Sequence, residues 1–399
     1  MVIKAAKIPT QHHIKAMHLQ EIYLRVLQSD GVSRARLKEE MHLSFPSVSA
    51  LVDEMISNGI LYETGVQEST KRGRPSILLR VKPDAFAIPV ITMTRDGYQY
   101  SLFDGCAQLV EEGFLPYEGK PSDTGAERWN PDLQTFCGPI EKLIGSFTEK
   151  YPMLDLVLSV PGSVNSRGNL TSSALRINMP RGFLEHLVDI TGLPIALINN
   201  SDAEAYAEKL YQPLPEDFIF LHVGKGVGAG IIRKGKIFSN TAMRAGEIGH
   251  ISIDYNGRSC PCGNRGCLER YIDIAQILQE AAPLLNRETV TFAELCYAFK
   301  QEVPEIVELM QEKASLLAVG MSNMLAMQPV RHVVLGGGIE QLGEGFLEML
   351  RNAIQMQSFR KYTNRLTITY TANTAGNGGM GALWNYLHHE MKIDHLIRF

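Results

Sequence analysis

The chain has 399 residues, which is too many for one hydrophobic core and indicates two or three domains. Its 45% hydrophobic and 21% charged residues are typical of a globular protein, and no apolar run approaches the ~18 residues of a membrane-spanning helix. Residues 1–15 are basic and mixed and have no signal-peptide core, and the six cysteines do not suggest a disulfide framework. We therefore expect a cytoplasmic protein with no membrane partner.

The net charge of −4 is unevenly distributed along the chain. Residues 1–80 hold 11 Lys and Arg against 8 Asp and Glu, a net +3, and the remaining residues hold 28 against 35, a net −7. A basic N-terminal part on an acidic body hints at nucleic-acid binding by the N-terminal part alone.

The first 82 residues are predicted to form a winged helix-turn-helix domain. Four apolar residues recur at helical spacing on one face: Leu19, Ile22, Tyr23 and Val26. Two shorter helices are predicted over 34–41 and 45–57, and strands over 60–63 and 77–81 would form the wing. In this motif the third helix enters the major groove of DNA.

The predicted DNA contacts lie on the third helix and at the tip of the wing. Ser47 and Ser49 belong to the exposed face of that helix, and they cannot grip a base as Arg or Asn does, so we expect modest direct readout. Lys71, Arg72 and Arg74 lie on a slim Gly/Pro backbone that suits a narrow, electronegative minor groove. A solvated wing tip is the alternative, but the position after a helix-turn-helix favours DNA.

The rest of the chain predicts an α/β body, because short apolar strands alternate with helices. The predicted strands are 88–93, 98–103, 156–160, 195–198, 218–223 and 332–335. We expect one α/β lobe over 83–200 and a second over 201–399, with a C-terminal helix over 381–399 that packs back on the body. Glycine clusters at 224–230 and 336–338 permit close approach to a phosphate or sugar, although tight turns explain either one alone equally well.

A cysteine-rich loop in the second lobe is the most informative stretch. It contains four candidate metal ligands: His250, Cys260, Cys262 and Cys267. One histidine and three thiolates complete the tetrahedron of a structural Zn²⁺ site. Glu247 and Glu269 flank these residues, and carboxylates beside a fixed imidazole suit the hydroxyls of a polyol. Incidental cysteines are the alternative, which the dense C-x-C-x4-C spacing disfavours.

Taken together, these motifs resemble the ROK family, which comprises repressors and sugar kinases of the actin-like ATPase fold. The resemblance covers nearly the whole chain and is most specific in residues 245–250 and 260–269. Residues 161–164, 226–230 and 334–339 support it. The winged helix, with Gly73-Arg74-Pro75, is similar to the repressor branch, because the kinases normally lack such a domain.

The resemblance implies two sets of site residues. His250 and the three cysteines of the loop would bind structural zinc. The sugar would face Glu247, His250 and Glu269, together with Asn199 and Asn200 in the segment that carries the kinases' catalytic aspartate.

This segment and two phosphate loops depart from the kinases. Thr92 and Thr94 stand where the kinases have Asp and Gly, and 224–226 is Gly-Lys-Gly rather than Gly-Thr-Gly. Asn200 replaces the catalytic aspartate, and an amide cannot take a proton from a sugar hydroxyl, although it can still hydrogen-bond that hydroxyl. Asp202 could substitute only if the register slipped by two residues.

These features predict a sugar-responsive transcriptional repressor whose kinase-like body is not an enzyme. We expect it to bind a double-stranded DNA operator and a small sugar or sugar derivative, as a homodimer or higher homo-oligomer. Two alternatives stay open: an active ATP-dependent sugar kinase with a DNA-binding domain, and a regulator that is switched by a protein partner rather than by a sugar.

Overall fold

The computed structural model describes residues 11–67, 76–120, 128–164, 169–172, 175–238, 245–357, 365–373 and 378–393. Lys71, Arg72 and Arg74 at the tip of the wing lie outside these residues, so their contact with DNA stays a prediction. Across the described ranges, no helix is both long enough and apolar enough to cross a membrane.

The N-terminal part is a winged helix-turn-helix, as predicted. Its elements are α1 (Gln11–Leu27), β1 (Val32–Ser33), α2 (Arg34–Met41), α3 (Phe45–Ser57), β2 (Leu61–Gln67) and β3 (Ser76–Val81). The strands form an antiparallel sheet in the order β1-β3-β2. Helices α2 and α3 begin where the sequence indicates because Ser33 and Ser44 cap them, each hydroxyl accepting a backbone N–H three residues on.

The core of this domain is continuous with the core of the body. The four apolar residues predicted on α1 are at most 2% exposed and join one buried cluster with residues of the C-terminal helix. Two hydrogen bonds cross the same boundary: Tyr23 Oη donates to the Gly105 carbonyl at 2.8 Å, and Gln20 Nε2 donates to the Leu387 carbonyl at 2.8 Å. The DNA-binding domain is therefore docked on the body rather than tethered to it.

The first lobe contains a five-stranded mixed sheet and two helices. Its elements are β4 (Ala87–Met93), β5 (Gly97–Asp104), β6 (Leu109–Pro116), α4 (Leu133–Thr148), β7 (Leu156–Val160), a small hairpin of β8 (Ser163–Val164) and β9 (Leu170–Thr171), α5 (Phe183–Thr191) and β10 (Ile195–Asn199). The strand order is β10-β7-β4-β5-β6, with β4, β5 and β6 antiparallel and β4, β7 and β10 parallel.

The second lobe repeats this plan. Helix α6 (Asn200–Tyr211) leads into β11 (Phe218–Val223), β12 (Val227–Arg233), β13 (Lys236–Ile237), α7 (Glu269–Ile272), α8 (Ile274–Leu284), α9 (Phe292–Lys300), α10 (Pro304–Met327), β14 (His332–Gly336), α11 (Glu344–Gln355) and β15 (Thr367–Tyr370). The strand order is β13-β12-β11-β14-β15. The strands β11, β12 and β13 are antiparallel and β11, β14 and β15 are parallel, so that β11 takes the central place that β4 has in the first sheet. The first hairpin turns, 94–96 and 224–226, are therefore equivalent positions of the two lobes.

The last helix, α12 (Gly378–His389), crosses back from the second lobe to the first. It packs against α6, β4 and β7, with Leu383, Tyr386 and Leu387 buried on one face as predicted. The sequence analysis predicted a helix over 381–399, and this prediction is wrong for residues 390–393, the last that the structure describes. The helix stops at His389 because Met391 and Ile393 turn into the core, where they are 3% and 0% exposed.

The division of the chain at residues 82 and 200 stays a prediction. The three main sheets support it, since the strands of each sheet fall within one of the ranges 1–82, 83–200 and 201–399.

We expect Tyr23→Phe to lower the free energy of unfolding by about 1–3 kcal/mol, because it leaves the buried Gly105 carbonyl without its hydrogen-bond donor. Urea denaturation measures the change. The matched control is Tyr62→Phe on the exposed wing strand, for which we expect less than about 0.5 kcal/mol. Equal effects of the two substitutions would contradict the docking role of Tyr23.

Candidate metal centre and interlobe cleft

The four predicted metal ligands come together in the loop between β13 and α7. One ring nitrogen of His250 and the Sγ atoms of Cys260, Cys262 and Cys267 all lie within 4.8 Å of one another. The Cys262 and Cys267 sulfurs are 3.6 Å apart, and Cys260 Sγ is 3.7 Å from His250 Nδ1. Ligands of a tetrahedral zinc site at ~2.3 Å from the metal lie roughly 3.8 Å apart, so the donors fit such an ion.

The local environment of the thiols also fits a metal. Burial raises the pKa of the Cys267 thiol to about 11 and raises the pKa of Cys260 further. A bound cation reverses this preference, since it favours the thiolate that coordinates it. The cluster could therefore hold a metal ion, and His250, bound through Nδ1, would keep Nε2 for the neighbouring cleft.

Glu269 connects this cluster to the cleft. Its Oε1 atom lies 3.5 Å from His250 Nδ1 and accepts a hydrogen bond from Cys260 Sγ at 3.3 Å. Burial raises the pKa of the Glu269 carboxyl, and the charge of His250 opposes that rise. Glu247 is half-buried at the start of the same loop.

The cleft between the two sheets has a volume of about 810 Å³. All five residues that the sequence analysis assigned to a sugar line it: Asn199, Asn200, Glu247, His250 and Glu269. The structure therefore brings these residues to one cavity, and their contact with a sugar stays a prediction.

Asn199 and Asn200 fix the start of α6 at the base of the cleft. Asn199 Nδ2 donates to the carbonyls of Val160 and Gly162 at 3.0 and 2.9 Å, and its Oδ1 caps the helix. Asn200 Nδ2 donates to the Met93 carbonyl at 2.9 Å, while its Oδ1 accepts from Ser159 at 2.8 Å. Asn199 has both amide hydrogens engaged, whereas Asn200 has one amide hydrogen and one lone pair with no partner among the residues that the structure describes.

His222, which the sequence analysis did not single out, lies between the two glycine-rich turns of the second lobe. A Cβ atom added at Gly224 would lie 2.7 Å from His222 Nε2, and one added at Gly337 would lie 2.9 Å from His222 Nδ1. His222 Nδ1 is also 2.8 Å from Glu204 Oε2. Burial lowers the pKa of His222, but the Glu204 charge and hydrogen bond outweigh it, so that the pKa is raised overall. A paired imidazole thus occupies the space between the turns.

An ion pair joins the equivalent hairpins of the two lobes across the mouth of the cleft. Lys225 Nζ in the 224–226 turn lies 2.5 Å from Asp96 Oδ2 in the 94–96 turn. Thr94, at a position where the resemblance expects glycine, turns inward, and its hydroxyl donates to the Gly97 carbonyl at 2.9 Å. The Thr94 hydroxyl also accepts from the backbone amides of Asp96 and Gly97 at 3.3 and 3.2 Å, so these two amides of the first hairpin are engaged within the turn.

The candidate DNA-binding face of α3 is largely neutral. Ser47 is exposed and Ser49 is half-buried, and Ser47 Oγ is 2.7 Å from the capping Ser44 Oγ. Asp53 on the same face is paired with Arg34 at 2.7 Å, which offsets a charge that would repel DNA.

Comparison with known proteins decides the family. The ROK family profile matches residues 131–388, which is more than half of the chain. The chain belongs to the ROK family. A crystal structure of a ROK family transcriptional regulator, a homologue of the E. coli MLC protein, matches 97% of this chain and 100% of that one, with a TM-score of 0.79 and 22% identity. The fold is thus the ROK body of two actin-like lobes with an N-terminal winged helix.

Relatives within the ROK family include both regulators and enzymes. A xylose repressor of Caldicellulosiruptor bescii is 27% identical over 354 residues, which cover 84% of this chain and 86% of that protein. An N-acetylmannosamine kinase of Vibrio cholerae is 32% identical over 231 residues, which cover 56% of this chain and 79% of the kinase. Membership alone therefore does not decide between regulation and catalysis.

We expect the purified ROK protein to hold about one metal ion per chain. The Cys267→Ser variant should lose this ion. Its melting temperature should also fall, because the metal binds only the folded loop. Elemental analysis and differential scanning fluorimetry measure the two effects. Cys296→Ser is the matched control, since Cys296 lies outside the cluster. An unchanged metal content in Cys267→Ser would remove this residue from the ligand set.

Proposed function

We propose that this ROK protein is a DNA-binding transcriptional repressor that responds to a small sugar. The observation that carries the proposal is a winged helix-turn-helix docked on a kinase-like cleft whose phosphate-handling turns are filled by the protein's own side chains. The similarity to a xylose repressor over 84% of this chain supports the same function.

In this proposal the sugar binds among Glu247, His250 and Glu269. Carboxylates accept hydrogen bonds from neighbouring hydroxyls, and Asn200 has one donor and one acceptor to spare. The metal of the cluster is structural zinc, because His250 and three thiolates leave no open coordination position for catalysis. Zinc would hold the His250 ring in one orientation towards the sugar.

The body acts as a sensor without phosphoryl transfer. Asn200 is an amide held between Ser159 and the Met93 carbonyl, so the position of the kinases' catalytic aspartate carries no carboxylate to take the proton of the attacking hydroxyl. His222 fills the space between the glycine turns, and the Lys225–Asp96 ion pair bridges the hairpins that would enclose a nucleotide.

Ligand binding would reach the DNA-binding domain through α6 and α12. Helix α6 starts in the cleft and packs on α12, whose end accepts the hydrogen bond from Gln20 of α1. A sugar that binds one arrangement of the lobes more tightly than the other changes the affinity for DNA. The change is at most the difference between the sugar's binding free energies for the two arrangements, typically ~1–3 kcal/mol. A homodimer would present two recognition helices to successive major grooves.

We expect Ser47→Asp to weaken operator binding by at least about tenfold, because it places a negative charge on the end of α3 that meets the bases. Fluorescence anisotropy measures this with a duplex selected from a random pool by the full-length protein. Ser146→Asp on α4 of the body is the charge-matched control, which should bind as the wild type does. If the pool yields no selected duplex, or if both variants bind equally, the assigned DNA-binding face is wrong.

The similarity to a kinase favours a second candidate function, an active sugar kinase. We expect no ADP release above background with glucose, mannose or N-acetylglucosamine at millimolar concentration. Asn200→Asp should stay inactive, because His222 and the Lys225–Asp96 pair still fill the phosphate region. A coupled assay with a ROK kinase as positive control measures turnover. A wild-type rate on the order of 1 s⁻¹ would establish the enzyme instead.

A further inference from the structure

A small recess opens from the wall of the cleft beside Glu269. It has a volume of about 210 Å³ and shares Arg95, Lys225 and Glu269 with the cleft. At ~30 Å³ per water molecule, it has room for roughly seven waters, which is enough for a tetrahedral oxyanion. A ligand whose hydroxyls face Glu269 therefore has space for one further group in this recess.

The recess is lined mainly by charged and amide side chains. Four of them are cations: Arg95, Arg176, Lys225 and Arg270. Glu269 and Asp273 are the carboxylates that line it. Lys225 is paired with Asp96 outside the recess, so that the three arginines and two carboxylates that remain have a net charge of +1 when all five are ionised. The amides of Gln276 and Gln279 complete the polar wall. Guanidinium groups and amides are the donors that bind phosphate oxygens in proteins.

The fold fixes the backbone of Arg176 and buries part of the Arg270 side chain. Arg176 has a left-handed backbone, with φ of 52°, and its carbonyl accepts a hydrogen bond from the Trp129 amide at 3.1 Å. Arg270 follows Glu269 directly, and its buried Nε donates to no acceptor in the described part of the chain. A group that stays buried without an acceptor costs free energy, and a bound anion would supply the acceptor.

We infer that the ligand of this ROK protein is a phosphorylated sugar, with its hydroxyls at Glu247, His250 and Glu269 and its phosphate in the recess of Arg95, Arg176 and Arg270. The inference rests on the proposed sugar-sensing function and goes beyond it by assigning the ligand's charge. A kinase that acts on a neutral sugar takes its phosphate from a nucleotide and needs no such recess, whereas a sensor of a sugar phosphate does.

The test is isothermal titration calorimetry of the metal-loaded, full-length protein. The probes are xylose, glucose, mannose and N-acetylglucosamine, their monophosphate esters, the corresponding uronic acids, and inorganic phosphate. We expect at least one ester to bind at least about tenfold more tightly than its parent sugar, with an affinity that falls as salt is raised. Tighter binding of a uronic acid than of any ester would overturn the phosphate assignment.

The variants locate the phosphate. Arg270→Gln and Arg176→Gln should each lose the preference for the ester and keep the affinity for the parent sugar. Arg287→Gln is the matched control and should keep both, since Arg287 is an exposed arginine of the second lobe that is paired with Glu294. Two arginine variants are used because Arg270 adjoins the metal loop, and metal content and circular dichroism report whether each variant is folded.

The outcomes separate the two proposals. A parent sugar that binds as tightly as every ester overturns the inference and leaves sugar sensing in place. If no sugar or ester binds the metal-loaded protein, sugar sensing itself fails, and the inference fails with it. Loss of the ester preference in the Arg287→Gln control would show that the effect is not local to the recess and would also overturn the assignment.

Discussion

The structure depends on the close packing of α6 between the second sheet and the last helix. A Cβ atom at Gly230 of β12 would overlap the Ser201 carbonyl, and one at Gly381 of α12 would overlap the Ala203 carbonyl. Such contacts leave no room for α6 to move independently, because packed interiors respond to a displacement by shifting a neighbour. In the proposed function, a change at the cleft end of α6 would therefore be passed to α12 and from there to α1 of the winged helix-turn-helix.

The residue at the position of the kinases' catalytic aspartate also supports the fold. Asn200 uses one amide hydrogen to bind the Met93 carbonyl, at the end of β4, and its oxygen accepts from Ser159 at the end of β7. A carboxylate in this position would face the Met93 carbonyl with no hydrogen to donate, which leaves an acceptor unsatisfied. The amide thus joins two strands to α6. In the proposed function the same residue also withholds the general base, so that one side chain accounts for both the rigidity and the expected inactivity.

Features that depend on neighbouring residues could be predicted from the sequence, whereas sites built from distant segments could not. Serine caps fix the starts of α2 and α3, and the metal loop is readable because its ligands lie within 18 residues. Strand β6 was missed because most of its residues are exposed, so that it lacks the alternation of a half-buried strand. The recess was missed because Arg95, Arg176 and Arg270 come from separate segments, and His222 because a strand histidine usually has only a structural role.

One short segment joins the candidate metal centre, the cleft and the recess. In the run 267–270, Cys267 is a candidate metal ligand, Leu268 is fully buried, Glu269 lines the cleft and Arg270 lines the recess. Leu268 packs so closely on α10 that a Cβ atom at Gly320 would overlap its side chain. Since neighbouring residues share one backbone, an ion bound to Cys267 would also help to order Glu269 and Arg270. In the proposed site the metal would thus be structural in its coordination and would also support the selectivity of the cleft.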